Sequence, residues 1–301
     1  CLCIGCGWIQ NFGQSVDHHE EMKLIVESGA TKTSWIFLDS QKLIDRAESL
    51  GLSPYFQTSD KIAFEVNSVC KDYIASIHEV YYYGTGVDTE ANRKIVETGF
   101  LKTLINCNKI EVYADILAAA RSACQWKKGL VCILGTGSNA CAYDGSQITA
   151  NKRGFGFILG DYGSGAVLGK KLVSSYLHSE FPEGLLEAWI NEGYETNHAE
   201  ILKQTYKESF PNRYLANFSK FAASHIDDSF IQDLLKNHFK EFFIHQLIPL
   251  TENRKDWPLF FIGSIAFHFQ QIIKSILSEY GISEYDFIPN PAEGLVRFHL
   301  S

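Results

Sequence analysis

The sequence predicts an α/β fold built from two similar lobes with a cleft between them. The first observation is an order of three strands, a helix, a strand and a helix that occurs twice, on either side of a polar break at residues 125–129. The second is that each half carries a turn of small residues between its first two strands, at residues 28–33 and 135–139. The duplication concerns the order of elements rather than residue identity, so it predicts two lobes of one architecture.

In the first half, short apolar runs bounded by turn residues predict strands, and apolar residues at helical spacing predict helices. The predicted strands are 23–28, 34–39, 42–50, 79–83 and 109–114, and the predicted helices are 62–77, 89–105 and one that begins at Asp115. We assign residues 22–128 to this N-terminal lobe.

The second half repeats the order and adds a helix-rich insert over residues 183–250. The predicted strands are 130–134, 140–143, 146–150 and 258–262, and the predicted helices are 167–177 and one that follows the last strand through residue 277. Buried faces of the insert are marked by Phe230, Leu234, Phe239, Phe242 and Leu247. Residues 129–301 form the C-terminal lobe, and its last segment is expected to pack back on the N-terminal lobe.

Composition narrows the classes of function. Of the 301 residues, 46% are hydrophobic and 21% are charged, which is typical of a globular enzyme. The net charge of −8 gives no reason to expect nucleic acid or an anionic membrane as a partner. No apolar stretch approaches the roughly 20 residues that a membrane-spanning helix needs. The sequence therefore predicts a soluble protein.

The first 21 residues read as a leader outside the fold. Met22 is the only methionine and opens the first predicted strand. The preceding residues lack the basic start and continuous apolar core of a secretory signal, which favours the cytoplasm. Cys3 and Cys6 form a CxxC pair in this leader, but no second pair follows, so a zinc site is disfavoured. The five later cysteines lie in apolar segments and are predicted to be buried and reduced.

The first turn, residues 28–33 (SGATKT), has the small residues that let a backbone approach an anion and form a concave site of N–H groups. It is not a Walker P-loop, because the glycine and lysine spacing differs and a strand follows it. A plain hairpin turn is the alternative. The candidate phosphate contacts here are Gly29, Thr31, Lys32 and Thr33.

The second turn, residues 135–139 (GTGSN), occupies the equivalent hairpin of the second lobe. One such turn is weak support for a phosphate site. Two of them at matching places could face each other across the cleft and hold a phosphate chain from both sides. The pairing, rather than either turn, carries this prediction.

A third glycine-rich segment joins residues 154–156 (GFG) to residues 160–165 (GDYGSG) and opens the helix near Val167. A helix N-terminus with glycines supplies free N–H donors for an oxygen-rich ligand. The segment does not fit the dinucleotide-binding pattern. The alternative is a flexible loop in which Asp161 is a turn residue.

Asp115 stands at the end of a predicted strand and the start of a helix. One interpretation is an N-cap, a position that Asp fills well. The other is a general base, since a carboxylate at a strand end facing the cleft could accept a hydroxyl proton during phosphoryl transfer. The helix N-terminus would keep it ionised.

The last candidate is the passage from strand to helix at Gly263 and Ser264, where a glycine permits close approach of a flat ring or a phosphate. A tight strand-to-helix turn explains it equally well. No HxH or HExxH spacing supports a zinc hydrolase, and no GxSxG elbow supports a serine hydrolase.

Taken in order, these segments resemble the N-acetylglucosamine kinase / BadF-type ATPase family of the actin, hexokinase and heat-shock ATPase superfamily. The resemblance runs from Met22 to the C-terminus, where residues 291–296 (PAEGLV) also look like the family's closing segment. It implies two ribonuclease-H-like lobes with a nucleotide and a sugar between them.

The resemblance also implies roles for single residues. Asp115 matches the catalytic base, and Glu27 matches the acidic residue that holds Mg²⁺ through water. Thr31, Thr136 and Gly137 match phosphate contacts, and Gly263 and Ser264 lie in the adenosine motif. The sugar-binding positions are matched by Ser138, Asn139, Gly160 and Asp161.

Two departures concern the sugar side. Tyr162 replaces the glutamate that usual family members carry after the aspartate, and residues 51–55 contain no asparagine, where a sugar-contacting one is often found.

The sequence thus predicts a kinase that transfers phosphate from Mg·ATP to an amino sugar, N-acetylglucosamine or glucosamine, at O6. Its expected partner is this small molecule, and a homodimer is left open. Two alternatives share the fold: an ATPase that activates another enzyme, and a non-catalytic sugar or nucleotide sensor.

Overall fold

The computed structural model describes residues 21–29 and 31–301. Residues 1–20 of the predicted leader, with Cys1, Cys3 and Cys6, lie outside the described residues, as does Ala30. The N-terminal lobe contains β1 Met22–Ser28, β2 Lys32–Leu38, β3 Leu43–Leu50, α1 Ser59–Cys70, β4 Ile77–Gly84, α2 Glu90–Leu101, β5 Lys109–Ala114 and α3 Asp115–Cys124.

The first sheet has the strand order β3-β2-β1-β4-β5, in which β1 is antiparallel to β2 and parallel to β4. The register aligns Ser28, Gly84 and Ala114 at the carboxyl ends of the three parallel strands. The segments that follow these strands therefore leave the sheet side by side at one edge, which is the usual place of a ligand site in α/β sheets.

The C-terminal lobe begins with β6 Gly129–Leu134, β7 Ser138–Tyr143, β8 Ile148–Arg153, α4 Gly156–Leu159 and α5 Gly165–Leu177. The insert follows with α6 Glu183–Asn191, α7 His198–Tyr206, α8 Pro211–Asn217, α9 Ser219–Ser224, α10 Ser229–Phe242, a π-helical turn Phe243–Leu247 and α11 Ile248–Thr251. The lobe ends with β9 Leu259–Ile262, α12 Ser264–His268, α13 Gln270–Glu279, β10 Tyr285–Ile288 and α14 Ala292–Leu300.

The second sheet has the order β10-β9-β6-β7-β8, which is the order of the first sheet with equivalent strands in equivalent places. Here β6 is antiparallel to β7 and parallel to β9. The duplicated α/β fold is thus confirmed. The sequence did not predict β10, because this edge strand has only four residues, three half-buried and one exposed, which is too weak a pattern.

Two predicted helices are shorter than the sequence suggested. The helix α1 ends at Cys70 and α2 ends at Leu101, and each is followed by tight turns, such as Ser76 N–H to Tyr73 O at 2.9 Å. Apolar residues of these turns pack against the same core as the helices do. The apolar spacing therefore continues past the last helical residue, and the predicted ends of both helices were too late in the chain.

The insert forms one core with the second sheet. Phe239, Phe242 and Leu247 are buried there, while Phe230 and Leu234 are partly buried against the same cluster. Trp189 is fully buried, and its ring stacks on that of Phe218 with centroids 5.2 Å apart. Rings of this kind contribute large apolar areas and directional packing, so the insert is a rigid extension of the lobe.

The last helix lies on the other lobe. Helix α14 packs against α3, and the Gln125 side-chain amide donates to the Gly294 carbonyl at 3.0 Å. A Cβ on Gly294 would lie 2.1 Å from Ser122 Oγ, so the two helices approach each other at backbone distance.

Among the described cysteines, Cys70, Cys124, Cys132 and Cys141 are buried and Cys107 is half-buried, and all five are free thiols. In the part of the chain that the structure describes, no helix is both long enough and apolar enough to span a membrane.

Candidate active site

The first turn leaves β1 at Ser28 and enters β2 at Lys32. Gly29 N–H donates to Lys32 O at 3.0 Å and closes the turn, while Thr31 is exposed at its tip. The Lys32 ammonium pairs with Glu48 on the neighbouring strand. Thr31 and Lys32 therefore stand at the surface of the cleft, where a phosphate could reach them.

Thr33 does not share this position. It is fully buried, and its hydroxyl lies 2.8 Å from Ser28 Oγ, donates to Leu50 O at 3.0 Å and accepts from Leu52 N–H at 3.1 Å. All of its hydrogen-bonding capacity is used to fasten the segment at residues 50–52 to the first hairpin. We therefore leave Thr33 out of the proposed phosphate contacts.

The second turn lies opposite the first. Gly135 N–H donates to Gly137 O at 3.0 Å, and the Oγ1 atoms of Thr31 and Thr136, on different lobes, lie 3.1 Å apart. The fold thus brings the two small-residue turns together with a hydroxyl from each side at hydrogen-bond distance.

The turn after β9 packs onto the second turn. Gly263 has a φ of 113°, and a Cβ there would lie 2.5 Å from Leu134 O, so only glycine fits. A Cβ on Gly165 would meet Ile265 Cδ1 at 3.0 Å. Ser264 is the first residue of α12 and is exposed. Gly263 thus lies against the base of the second turn, and Ser264 follows it at the start of α12.

The N-terminus of α5 is already occupied. Gly165 N–H donates to Gly135 O at 2.8 Å, and Ala166 N–H donates to Thr136 O at 3.1 Å. The prediction that these amides are free donors for a ligand was therefore wrong. Their role is to fix the backbone of the second turn, because the glycines let the helix approach that turn closely.

Asp161 is held by its neighbours in the third glycine-rich segment. Its Oδ1 accepts from Gly156 N–H at 3.2 Å, its carboxylate also accepts from Ser138 N–H, and its own N–H donates to Gly154 O at 2.7 Å. A Cβ on Gly154 would lie 2.0 Å from Asp161 Oδ1. Burial raises the pKa of Asp161, although the two N–H donors lower it.

The other predicted sugar contacts differ in what they can offer. Ser138 Oγ donates to Gln246 Oε1 at 2.9 Å, and Gly160 N–H donates to Gly156 O at 2.8 Å, so both groups are engaged. Asn139 Oδ1 is buried and has no hydrogen-bond partner among the described residues. A buried acceptor without a partner costs free energy, and a ligand hydroxyl or amide would satisfy it.

Asp115 is the first residue of α3, directly after β5. It is not the N-cap, because Ala114 holds that position with an extended backbone and no side-chain bond. The Asp115 carboxylate accepts from Ile116 N–H, which lowers its pKa, but burial outweighs this and raises the pKa from 3.8 to about 6. At neutral pH the carboxyl is still largely ionised, as a general base requires.

Four carboxylates from both lobes act on each other in the cleft. The negative charges of Asp88 and Asp161 raise the pKa of Asp115, after the larger effect of burial. Burial and, to a smaller extent, the charge of Asp115 raise the pKa of Glu27 to about 7, against a lowering effect of Lys32. Asp88 also faces Arg153 of the other lobe at 3.4 Å. Such a concentration of negative charge favours a cation.

Within the described residues, no group of three or more His, Cys, Asp or Glu side chains is arranged to hold a metal ion. This is compatible with Mg²⁺, which commonly uses one or two carboxylates and completes its shell with waters and phosphate oxygens. Glu27 is the residue before Ser28, and Asp115 follows Ala114, which aligns with Ser28 through Gly84 in the strand register.

Comparison with known proteins identifies the family. A scan against protein-family models gives no match. The sequence is 24% identical over 177 residues to an N-acetyl-D-glucosamine kinase of Dictyostelium discoideum, over 54% of this chain and 56% of that protein. It is 26% identical over 165 residues to an N-acetylmuramic acid/N-acetylglucosamine kinase of Clostridium acetobutylicum, over 53% of this chain and 54% of that protein. The chain spans about half the length of these curated relatives.

A crystal structure covers more. The Porphyromonas gingivalis protein, provisionally named an N-acetylglucosamine kinase, superposes with a TM-score of 0.86 and 39% identity, over 93% of this chain and 99% of that one. The chain belongs to the N-acetylglucosamine kinase family. This confirms the resemblance that the motifs had indicated.

One departure from the usual pattern of the N-acetylglucosamine kinase family is explained by packing. The Tyr162 ring stacks on that of His245 in the π-helical turn, with centroids 4.3 Å apart and planes 21° apart. The tyrosine thus forms an aromatic contact with the insert at the position where usual members of the family carry a glutamate.

Several groups around the cleft of this family member were missed from the sequence. Phe56, which is 63% exposed, meets Phe210 of the insert edge-on at 5.2 Å between ring centroids. Ser53 Oγ is buried without a hydrogen-bond partner in residues 21–29 and 31–301. Residues 51–55 were noted only for their lack of an asparagine, and neither Ser53 nor Phe56 carries a local signal of these properties.

A cavity of about 470 Å³ lies elsewhere, between α5 and α10, and is lined by Lys170, Lys171, Ser174, Ser175, Leu234 and Asn237. None of the predicted site residues lines it. We place the site by its convergent polar groups rather than by cavity size, because the cleft between two lobes is open to solvent.

Proposed function

We propose that this protein transfers the γ-phosphoryl group of Mg·ATP to the O6 hydroxyl of an amino sugar, N-acetylglucosamine or glucosamine. The observation that carries the proposal is the placement of Asp115. It follows β5 directly, and its pKa is raised by the charge of Asp161 of the other lobe, which supports a position in the same cleft as the facing turns of Thr31 and Thr136. The names of the relatives support the same substrate class.

The nucleotide would bind with its phosphates between the turns that carry Thr31 and Thr136. These hydroxyls now face each other at 3.1 Å, and each could turn to a phosphate oxygen. Gly29 and Gly137 would let the backbone come close, and Lys32 would add a positive charge. Gly263 and Ser264 would border the adenosine side, because their turn packs on the base of the second phosphate turn.

The sugar would bind beside Asp161 and Asn139. Asp161 is oriented by two backbone N–H groups, and the unsatisfied Oδ1 of Asn139 offers an acceptor. Gly160 lies in the same loop and would allow close approach of the ring. These groups would place the acceptor hydroxyl against the Asp115 carboxylate.

In the transfer step the sugar oxygen forms a bond to Pγ while the bond between Pγ and the β-bridging oxygen breaks, and ADP leaves. The Asp115 carboxylate accepts the hydroxyl proton. Mg²⁺, held through water near Glu27, would neutralise charge on the phosphates. Closure of the lobes would exclude water, which is the competing phosphoryl acceptor.

The test is an ADP-release assay over a panel of glucosamine, N-acetylglucosamine, N-acetylmuramic acid and glucose, with mass spectrometry of the sugar product. We expect at least one amino sugar to stimulate release and to gain one phosphate. Asp115→Asn should lower turnover by about 10²–10⁴-fold, the usual worth of a general base.

Asp144→Asn is the matched control, because Asp144 is an exposed aspartate whose side chain, among the residues that the structure describes, bonds to its own turn at Ser146 and Gln147. Release of ADP that no sugar stimulates would favour the activator ATPase instead. Nucleotide and sugar binding without any turnover would favour the sensor.

A further inference from the structure

The helix that runs from Ser229 to Thr251 widens into a π-helical turn at Phe243–Leu247. Ile248 N–H donates to Phe243 O, five residues earlier. The cause lies in the sequence: Pro249 has no N–H to give to the carbonyl of His245, and its ring would collide with that carbonyl in a regular α-helix. A π turn adds one residue and so re-aims the side chains around it.

Two side chains of the π-helical turn contact residues beside the proposed sugar site. His245 stacks on Tyr162, next to Asp161. Gln246 is only 2% exposed, and both ends of its amide are used. Its Oε1 accepts from Ser138 Oγ at 2.9 Å, and its Nε2 donates to Lys152 O at 3.0 Å.

The two residues that bond to Gln246 lie at the same end of the paired strands β7 and β8. Ser138 is the first residue of β7, and Lys152 is the last but one of β8. The next residues, Asn139 and Arg153, face each other in the strand register. Asn139 carries the unsatisfied acceptor, and Arg153 reaches across the cleft to Asp88.

Ser138 connects the same amide to the carboxylate. Its backbone N–H donates to Asp161, while its hydroxyl donates to Gln246. Movement of Ser138 would therefore change the position of Asp161 and of Asn139 together. One buried glutamine thus fixes both groups that we assign to the sugar.

Burial of the Gln246 amide costs free energy, so its presence in this core calls for an explanation. The neighbouring buried side chains Phe242, Phe243 and Leu247 are apolar, and an apolar side chain of equal volume would fill the same space as Gln246. A polar group in such a place does not add to stability unless both of its ends are satisfied, and a satisfied pair gives orientation rather than large net energy.

We infer that Gln246 is a positioning residue for the sugar acceptor, acting through Ser138 and the end of β8 on Asn139 and Asp161. The inference rests on the proposed function. It differs from a purely structural role in one measurable respect: loss of the amide should weaken sugar binding selectively and leave nucleotide binding unchanged.

The test uses Gln246→Met, which keeps the volume and removes both hydrogen bonds. We expect the KM for the sugar to rise by about 10-fold, as for the loss of one or two buried hydrogen bonds, with the KM for ATP within 2-fold of the parent. Gln270→Met is the matched control, because Gln270 also uses both ends of its amide, on α13, at Phe267 O and Lys274.

Ser138→Ala removes the hydrogen bond between Ser138 Oγ and Gln246 Oε1 by deleting its donor. This variant tests the inference if Gln246→Met does not fold. It should raise the KM for the sugar by several-fold, and adding Gln246→Met to it should add less than 3-fold. Equal changes in the two KM values, or a lower melting temperature with an unchanged KM for the sugar, would overturn the inference.

Calorimetric titration of the parent with N-acetylglucosamine in the presence of ADP separates the two proposals. If the sugar binds without turnover, the proposed reaction fails, and selective weakening of binding in Gln246→Met still supports the positioning role. If none of the four sugars in the panel binds to the parent, both proposals are overturned.

Discussion

The side-chain oxygens of Thr31 and Thr136 lie 3.1 Å apart, although the two residues are 105 positions apart in the chain and belong to different sheets. Each hydroxyl sits at the tip of a hairpin whose backbone is closed by its own hydrogen bond. Their meeting brings the two lobes together at the phosphate turns.

Replacement of either threonine by valine should weaken nucleotide binding. A hydrogen bond to a charged phosphate contributes about 1.5 kcal/mol or more, so the KM for ATP should rise about 10-fold in Thr31→Val and in Thr136→Val, with the KM for the sugar nearly unchanged. Thr205→Val is the control, since its hydroxyl bonds to Ile201 O within α7. Steady-state kinetics with each substrate varied in turn would measure both KM values. An unchanged KM for ATP would count against phosphate binding between the two turns.

Asp115 should affect stability and activity in opposite ways. Its pKa is about 6 in the folded chain and 3.8 in the unfolded chain, so the ionised carboxyl disfavours folding as the pH rises through this range. The difference corresponds to at most about 3 kcal/mol. Asp115→Asn should therefore melt higher than the parent at pH 8, while the two should converge near pH 4.

In the parent, kcat/KM should rise with pH along a limb with a pKa near 6, because the base must be ionised. Melting curves at several pH values, without nucleotide, check the stability effect. A gap between the parent and Asp115→Asn that stays constant from pH 4 to pH 8 would contradict the burial of this carboxyl.

The strands β1–β9, in their order along the chain, and the two small-residue turns could be predicted, because apolar periodicity and small turn residues are local signals. The use of the α5 N-terminus could not. Whether Gly165 N–H meets a ligand or Gly135 O depends on the approach of a helix and a hairpin that are distant in the chain. The burial of Thr33 was hidden for the same reason: its partners at residues 50–52 follow the next strand.

Glu27 should govern the requirement for magnesium. Its pKa of about 7 reflects burial beside Asp115, and a divalent cation would relieve the repulsion between the two. Glu27→Gln should raise the Mg²⁺ concentration for half-maximal activity by about 10-fold and leave the KM for the sugar unchanged. Glu97→Gln, at a half-buried glutamate on α2, is the control. Titration with Mg²⁺ at saturating ATP measures the change, and equal curves for the two variants would exclude Glu27 as the metal residue.

The contact between Phe56 and Phe210 should limit wasteful hydrolysis. These rings join the N-terminal lobe to the insert at 5.2 Å, and their loss would leave the lobes less tightly closed. Phe56→Ala and Phe210→Ala should each raise ADP release relative to sugar phosphate formed. Phe64→Ala, at a 74% exposed ring on α1, should leave the ratio near that of the parent. A ratio that changes in none of the three would show that this contact has no part in closure.

Gly154 should not tolerate a side chain. A Cβ there would lie 2.0 Å from Asp161 Oδ1 and 2.2 Å from Ser138 O, so Gly154→Ala must displace the Asp161 side chain and the start of β7. We expect a loss of about 2–4 kcal/mol or a failure to accumulate folded protein. Gly184→Ala, in α6 with open space around its Cα, should be neutral or stabilising by up to about 1 kcal/mol. Chemical denaturation compares the two, and a stable, active Gly154→Ala would refute the packing described.

The residues proposed to bind the sugar were harder to predict from the sequence than those proposed to bind phosphate. Ser138, Asn139 and Asp161 could be proposed from their motifs, but Gln246, which bonds to Ser138, carries no local signal beyond one proline in its helix. Gln246 is one of many polar residues in that segment, and its importance depends on a hydrogen bond to a residue 108 positions away.

Helix α14 gives the molecule a second crossing between its halves. The chain passes from α3 into β6 and later returns from β10 to lie on α3, with Leu295 buried at that contact. The first half of the sequence therefore does not contain all of its own lobe. A fragment ending at residue 128 would therefore expose the apolar face that α14 covers, because Leu295 completes a core cluster with Ile25 and Ala118 of the N-terminal lobe.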